Sequence, residues 1–200
     1  MGGLFITFEG SEGSGKTTQV GLLGEWLSLR EPVVVREPGG TELGERIREL
    51  VLYESLEIDA EAEMYLFMSA RKQLVTEVIA PALDEGQIVI ADRYHDSTVA
   101  YQGGGRGVAT SWPVAFPVPN ITFLLQGPVR NGLLRHEAAG KTRDRLEMED
   151  IEFHERVATE YERLAEAEPT RFVRIDATLS RERVHLDIRR HLQPLLEAMR

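Results

Sequence analysis

The chain has no cysteine, and its 23 lysines and arginines are outnumbered by 33 aspartates and glutamates. Without cysteine there is no disulfide framework, no thiolate zinc site and no thiol nucleophile, a pattern that agrees with a reducing compartment. A formal charge of −10 argues against a broad basic face of the kind that coats nucleic acid, so any anionic ligand must meet cations placed locally. No window approaches the roughly 18 consecutive apolar residues of a spanning helix. The first residues lack a basic region followed by an apolar stretch, and Ile6 stands where a myristoylation pattern needs Ser or Thr. The expectation is a soluble cytoplasmic protein without nucleic-acid or membrane partners. Aromatic residues are only 7% of the chain, but 42% hydrophobic content over 200 residues is enough for one packed core. We read residues 1–200 as a single domain with no repeat or internal linker.

Short apolar runs at 4–8, 33–35, 88–91, 121–125 and 172–175 alternate with stretches of helical period. That alternation is the signature of a parallel sheet with crossover helices. Helices are predicted over 16–30, 42–52, 61–83 (capped by Asp59), 94–101, 129–137, 149–167 and 180–199. Between them lie loops rich in glycine and charge: REPGGT (36–41), QGGGRG (102–107), PVAFPVPN (113–120) and AAGKTRDR (138–145). Such loops usually carry function.

Residues Gly10, Ser11, Glu12, Gly13, Ser14, Gly15, Lys16 and Thr17 spell GSEGSGKT, the full phosphate-loop pattern, between a predicted strand and a predicted helix. Glycines allow the backbone to wrap until successive N–H groups point at phosphates, and the following helix N-terminus adds partial positive charge. In this arrangement Lys16 bridges the β- and γ-phosphates of a nucleoside triphosphate. Thr17 places its hydroxyl on Mg²⁺, and Thr18 reaches the α-phosphate. GTPases, ATPases and small-molecule kinases all share this loop, but no guanine-recognition motif stands in a useful position. Asp92 directly follows the third apolar run, where doubly wound sheets bind ligands. It can orient the metal through water, and the adjacent Arg93 can clamp an acceptor phosphate. A structural Asp–Arg pair is the alternative.

The pieces FEGSEGSGKTTQ (8–19), REPGGT, LFMSARKQ (66–73), DRYHDSTVAYQG (92–103) and DRLE (144–147) stand in the order and spacing of one family, and the chain resembles bacterial thymidylate kinases. The resemblance implies an α/β P-loop nucleoside monophosphate kinase fold, a five-stranded parallel sheet flanked by helices, with a short lid at about 138–148. It implies transfer of the γ-phosphoryl of ATP to dTMP, with Mg²⁺, in a homodimer. It implies that Arg36 and Arg93 hold the acceptor phosphate, that Phe67 stacks on thymine, and that Arg71 bonds the base's carbonyl edge. Gln102 would face the same base, Ser97 would line the pocket, and Tyr101 would pack against the sugar. It also implies a cis peptide before Pro38. Phe67 lies on an apolar helical stripe that favours a core position, and Tyr101 reads equally as a core aromatic. Arg71 falls one turn after Phe67 on the same face, which supports a pocket there.

A loose phosphoryl-transfer transition state needs positive charge on its equatorial oxygens. The phosphate loop offers Lys16 but no arginine, whereas the lid carries Lys141, Arg143 and Arg145. The expectation is that Arg143, Arg145 or both close over the transferred phosphate. Glu12 is then expected to point away from the ATP phosphates, toward the acceptor sugar or the incoming lid arginines. Arg135 is expected beside adenine, with IDATLS (175–180) on its other side. Gln126 stands where relatives commonly have an aspartate. A kinase of the same fold acting on another monophosphate or a deoxynucleoside, and an ATP-dependent binding or switch protein, remain as alternatives.

Overall fold

The run LFITFE forms strand β1 (Leu4–Glu9), and every one of its six residues is buried. It lies at the middle of a five-stranded sheet, with β3 (Ile88–Asp92) on one side and β4 (Ile121–Gln126) on the other. The outer strands are β2 (Val33–Arg36) and β5 (Phe172–Asp176), giving the order β2-β3-β1-β4-β5, all parallel. Helices on both faces make the central strands mostly apolar rather than alternating, with the buried Thr7 and Thr122 hydroxyls bonded to each other, and that is why they read as hydrophobic runs. The computed structural model describes residues 2–138, 140 and 143–199.

Alternation along β1 still decides which core each side chain joins. Leu4, Ile6 and Phe8 pack with Val20 and Leu23 of α1 (Lys16–Trp26) and with Val184, Ile188 and Leu192 of α8 (Arg181–Ala198). Phe5 packs on the other face with Leu74, Val75, Ile79, Tyr94 and Phe116. A third cluster joins α2 (Glu42–Leu52), α3 (Ala60–Leu74) and α7 (Ile151–Ala167) through Ile47, Val51, Phe67, Tyr101, Phe153 and Val157. Thr41, Asp59, Asp150 and Ser180 cap α2, α3, α7 and α8, each accepting from a first-turn backbone N–H. None of the described helices is long and apolar enough to cross a membrane.

Three helix expectations require correction. The helix expected over 16–30 ends at Trp26, and Ser28–Arg30 form a 3₁₀ turn. The helix expected over 61–83 is interrupted, with α3 followed by a π-helical turn at Val75–Ile79 and then α4 (Ala80–Asp84). Most consequentially, α5 (His95–Thr98) passes into a π-helical segment, Val99–Gly105, that absorbs most of the expected QGGGRG loop. The remaining helix is α6 (Val129–Ala138), which ends at the start of the segment expected to form a lid.

Candidate functional site

The carboxyl ends of β1 and β3 open onto the crevice where ligands bind in this topology. After β1, the chain turns through Gly10, Gly13 and Gly15 at positive φ (137°, 65° and 96°) and enters α1 at Lys16. Glycine is required at position 13 by contact as well as by conformation. A Cβ there would lie 1.9 Å from the Gly132 carbonyl oxygen, because α6 lies backbone to backbone against the phosphate loop. Lys16 curls back over the loop, donating to the Gly10 and Ser11 carbonyls at 3.0 and 2.9 Å. Burial and the nearby Arg93 guanidinium lower the Lys16 ammonium to about 8. This is a cation kept dry and beside a second one, with Glu12, Asp92 and Glu9 only partly offsetting that cost, so an arriving polyphosphate is a natural counter-charge.

Thr17 Oγ1 donates to Asp92 Oδ2 at 2.6 Å, so the two residues expected at the metal meet. These are hard oxygens of the kind Mg²⁺ takes. No group of three or more His, Cys, Asp or Glu able to hold a metal occurs among the described residues. Phosphate oxygens and water would supply the rest of the coordination of a nucleotide-borne Mg²⁺.

Arg93 is the hub between the two halves of the site. Its residue adopts a left-handed φ of 72°, with its own N–H bonded to the Phe8 carbonyl at 3.0 Å. The guanidinium reaches Glu12 Oε1 at 2.5 Å, the Tyr101 hydroxyl at 2.9 Å, and Ser97 Oγ and the Gly10 carbonyl at 3.2 Å. Glu12 is thus paired with a cation, Arg93 from the end of β3, rather than with a lid arginine. Burial alone would raise the Glu12 carboxyl; Arg93, Lys16 and the Tyr101 hydroxyl outweigh it and hold the group at about 2. The Tyr101 hydroxyl also donates to Glu12 at 2.7 Å, so this tyrosine is a core aromatic and a pocket residue at once.

Behind this pair lies a carboxylate that the sequence reading did not single out. Glu9, at the end of β1, accepts from the Tyr94 N–H at 2.8 Å and from the Ser97 and Tyr161 hydroxyls at 2.6 and 2.8 Å. Burial and the neighbouring Asp96 push it up to about 7 despite those donors and Arg93. Its only sequence signal is a charged residue closing an apolar strand immediately before the phosphate loop.

The other half of the cleft is lined by Arg36, Arg48, Phe67, Arg71 and Gln102. Phe67 is buried yet borders the cavity, which reconciles the core and pocket readings. Arg36 meets Glu45 at 2.9 Å on the surface. Arg71 is 2% exposed and ion-paired with Glu37 at 2.6 Å, with further bonds to Thr98 Oγ1 at 2.8 Å and the Tyr94 carbonyl at 3.1 Å. Burial pushes the Glu37 carboxyl up to about 7, with Arg71 only partly offsetting it. The Glu37–Pro38 peptide is cis.

The lid region is placed differently from the expectation. Asp144, Leu146 and Glu147 border the cavity. Arg145, expected over the phosphates, donates instead to Glu63 at 2.5 Å and to the Val51 carbonyl at 2.9 Å. Arg143 is half-buried, and Lys141 lies outside the described residues. Arg135 of α6 borders the cavity and donates to the Ala177 carbonyl at 3.1 Å, joining that helix to the loop that carries Ala177 and Leu179. Gln126 bonds Glu162 at the surface.

One continuous cavity of about 660 Å³ runs from Thr18, Arg135 and Leu179 past Glu12, Lys16, Asp92 and Arg93 to Phe67, Arg71 and Gln102. A family model described as thymidylate kinase matches residues 8–188. A protein named thymidylate kinase from Desulfovibrio desulfuricans is 44% identical over 209 aligned positions, covering 96% of each chain. One from Clavibacter sepedonicus is 43% identical, covering 99% of this chain and 98% of its own. The crystal structure of thymidylate kinase from Ehrlichia chaffeensis superposes with a TM-score of 0.78 at 33% identity, covering 96% of this chain and 100% of that one.

Proposed function

Since the chain belongs to the thymidylate kinase family, we infer that it transfers the γ-phosphoryl group of ATP to dTMP, giving dTDP and ADP for DNA precursor synthesis. The observation that carries this reading is the single cleft. Its phosphate loop and its Phe67–Arg71–Gln102 end are joined by Asp92 and Arg93, which leaves room for donor and acceptor phosphates to meet. A regulatory nucleotide switch has no use for the second end.

No covalent intermediate is needed, so the chain's work is positioning and electrostatics. The loop N–H groups and Lys16 take the β- and γ-phosphates, and the α1 N-terminus adds to their field. Arg93 and Arg36 hold the acceptor phosphate in line, with Glu12 and Tyr101 fixing the Arg93 guanidinium so that little reorganises during transfer. Arg135, Ala177 and Leu179 flank the adenine. Mg²⁺, when bound with ATP, neutralises developing charge; Thr17 and Asp92 are the residues that would hold it. Arg143 approaches the transferred phosphate when the lid closes, and Arg145 follows only if it leaves Glu63. The protein works in the cytoplasm as a homodimer, for which the exposed Leu43, Tyr53, Leu56 and Tyr65 offer an apolar surface.

The test is coupled ADP release with MgATP and a panel of dTMP, dUMP, UMP, dCMP, AMP and dGMP. Strong preference for dTMP is the expected result. Turnover with another base overturns the acceptor assignment, and no turnover with any overturns the kinase reading. In the same assay Asp92→Asn should lower activity or raise the Mg²⁺ requirement on the order of 10–100-fold, the usual cost of disturbing a metal-orienting group. An unchanged Mg²⁺ titration and rate would remove Asp92 from the metal.

A further inference from the structure

Glu63, on α3, is completely buried and forms no direct part of the cavity wall. It nevertheless collects three donors that converge from distant parts of the chain. Gln102 Nε2 donates to Glu63 Oε1 at 2.7 Å, and Arg145 donates to Oε2 at 2.5 Å. Arg106 reaches the same carboxylate at 3.3 Å. The Arg145 guanidinium is fixed at its other side by the Val51 carbonyl at 2.9 Å, its backbone N–H meeting the Leu52 carbonyl at 2.9 Å, and Arg106 is fixed by Glu149 at 2.7 Å. Neither guanidinium is therefore free to swing away without losing other partners.

We propose that Glu63 is a positioning residue that sets base specificity by fixing which end of the Gln102 amide faces the acceptor pocket. This rests on the proposed dTMP kinase reading. A primary amide offers a donor end and an acceptor end of nearly the same shape. An ionised carboxylate can only accept, so the Gln102 nitrogen is committed to Glu63. The Gln102 carbonyl oxygen is then the group left for a ligand in the cavity that this residue borders. Burial alone would raise the Glu63 carboxyl, but its bonds to Gln102 and Arg145 and the charge of Arg106 hold it below the usual carboxylate range. The two arginines thus keep the acceptor an acceptor. A carbonyl facing the base ring suits N3–H of thymine or uracil and opposes the N3 lone pair of cytosine. Because Arg145 comes from the lid's far end, the same carboxylate also ties base recognition to the root of the lid.

Glu63→Gln keeps the size but lets either end of the new amide face Gln102, so Gln102 is free to turn over. The experiment measures kcat/KM of wild type and variant for dTMP, dUMP and dCMP. The expected result is a fall in the dTMP:dCMP ratio of about ten-fold, the scale set by one mismatched hydrogen-bonding group. The dTMP:dUMP ratio should stay constant, since both bases carry N3–H. A merely structural Glu63 would depress all three substrates together, and that result overturns the inference. Gln102→Leu, which leaves the arginine pairs in place, must lower the dTMP:dCMP ratio as well. An unchanged ratio there overturns the inference even if Glu63→Gln does not fold. Absence of dTMP turnover in the wild type would instead defeat the functional reading and is seen before any variant is compared.

Discussion

Arg93→Met is expected to lower kcat/KM for dTMP by at least about 10³, the range associated with removing an arginine that stabilises charge in phosphoryl transfer. The same substitution should cost on the order of 3 kcal/mol of stability, because it leaves a mostly buried carboxylate without its cation. Arg93 and Glu12 side chains are only 15% and 17% exposed. Removing the guanidinium also takes one bond each from the Tyr101 and Ser97 hydroxyls and the Gly10 carbonyl, which keep their bonds to Glu12, Glu9 and Lys16. The stability loss has a pH signature. In the wild type Glu12 sits at about 2, so its contribution is complete above the ordinary carboxylate value near 4.5 and is lost as pH falls toward 2. Without Arg93, burial dominates and the Glu12 pKa rises. A raised carboxyl contributes its stability at low pH and loses it as pH increases through the new value. The deficit of the variant should therefore be smaller at pH 5 than at pH 8. Urea denaturation at both values checks this, and a pH-independent deficit would mean that Glu12 is not what Arg93 stabilises.

What the sequence disclosed divides along the range of the interactions concerned. The phosphate loop was legible because its geometry is set by consecutive residues, and glycine at 10, 13 and 15 supplies the positive φ that the turn requires. The five strands were legible because burial on both faces leaves unbroken apolar runs. The helical course of Gly103–Gly105 was not, because three glycines in a row oppose a helix when read locally. Packing against α7 overrides that preference. A Cβ at Gly104 would lie 2.6 Å from Glu160 Cβ, and one at Gly105 would lie 2.5 Å from the Phe153 ring. The glycines are there to let two helices approach, and only the tertiary contact reveals it.

The buried carboxylates were hidden for the same reason. Glu37 finds Arg71 across 34 positions and Glu63 finds Arg145 across 82. In sequence, Glu61 and Glu63 look alike, two acids in the first turn of α3 where the helix dipole favours negative charge. Only Glu63 is buried. The expectation for Arg145 took no account of this, since its position in a basic segment said nothing of the carboxylate with which it pairs. For Glu12 the sequence called for a cation but not for the one observed, Arg93. A carboxylate inside an anion-binding loop called for a nearby cation, but local spacing could not choose between the lid and the end of β3. The arrangement observed has a physical merit that a lid arginine would not supply. Arg93 is held by Glu12 and Tyr101 before any ligand arrives, so its orientation does not wait for closure.

Lys16→Met should abolish measurable turnover, by about 10³-fold or more, while making the ligand-free protein more stable at neutral pH. The first effect follows from removing the charge that bridges the transferred phosphate. The second follows from the state of Lys16 in the empty site, where burial and Arg93 lower it from 10.5 to about 8. A lysine whose folded pKa lies below its unfolded value binds its proton more tightly in the unfolded chain. Keeping it charged therefore costs folding free energy below about pH 8, and the cost disappears as pH rises from there through the unfolded value. Methionine keeps most of the stem's packing and has no charge to desolvate, so the gain at pH 7 should be on the order of 1–3 kcal/mol. Lost bonds to the Gly10 and Ser11 carbonyls reduce it. The gain should shrink toward pH 10, where the wild-type lysine is neutral in the folded state. MgATP should reverse the ranking, raising the wild-type Tm far more than that of the variant, because the phosphates repay the ammonium's desolvation only where there is an ammonium. Equal stabilisation of both by MgATP would show that Lys16 does not meet the phosphates at all. A variant less stable than wild type at pH 7 would show that the bonds of Lys16 to the Gly10 and Ser11 carbonyls outweigh the cost of burying the charge.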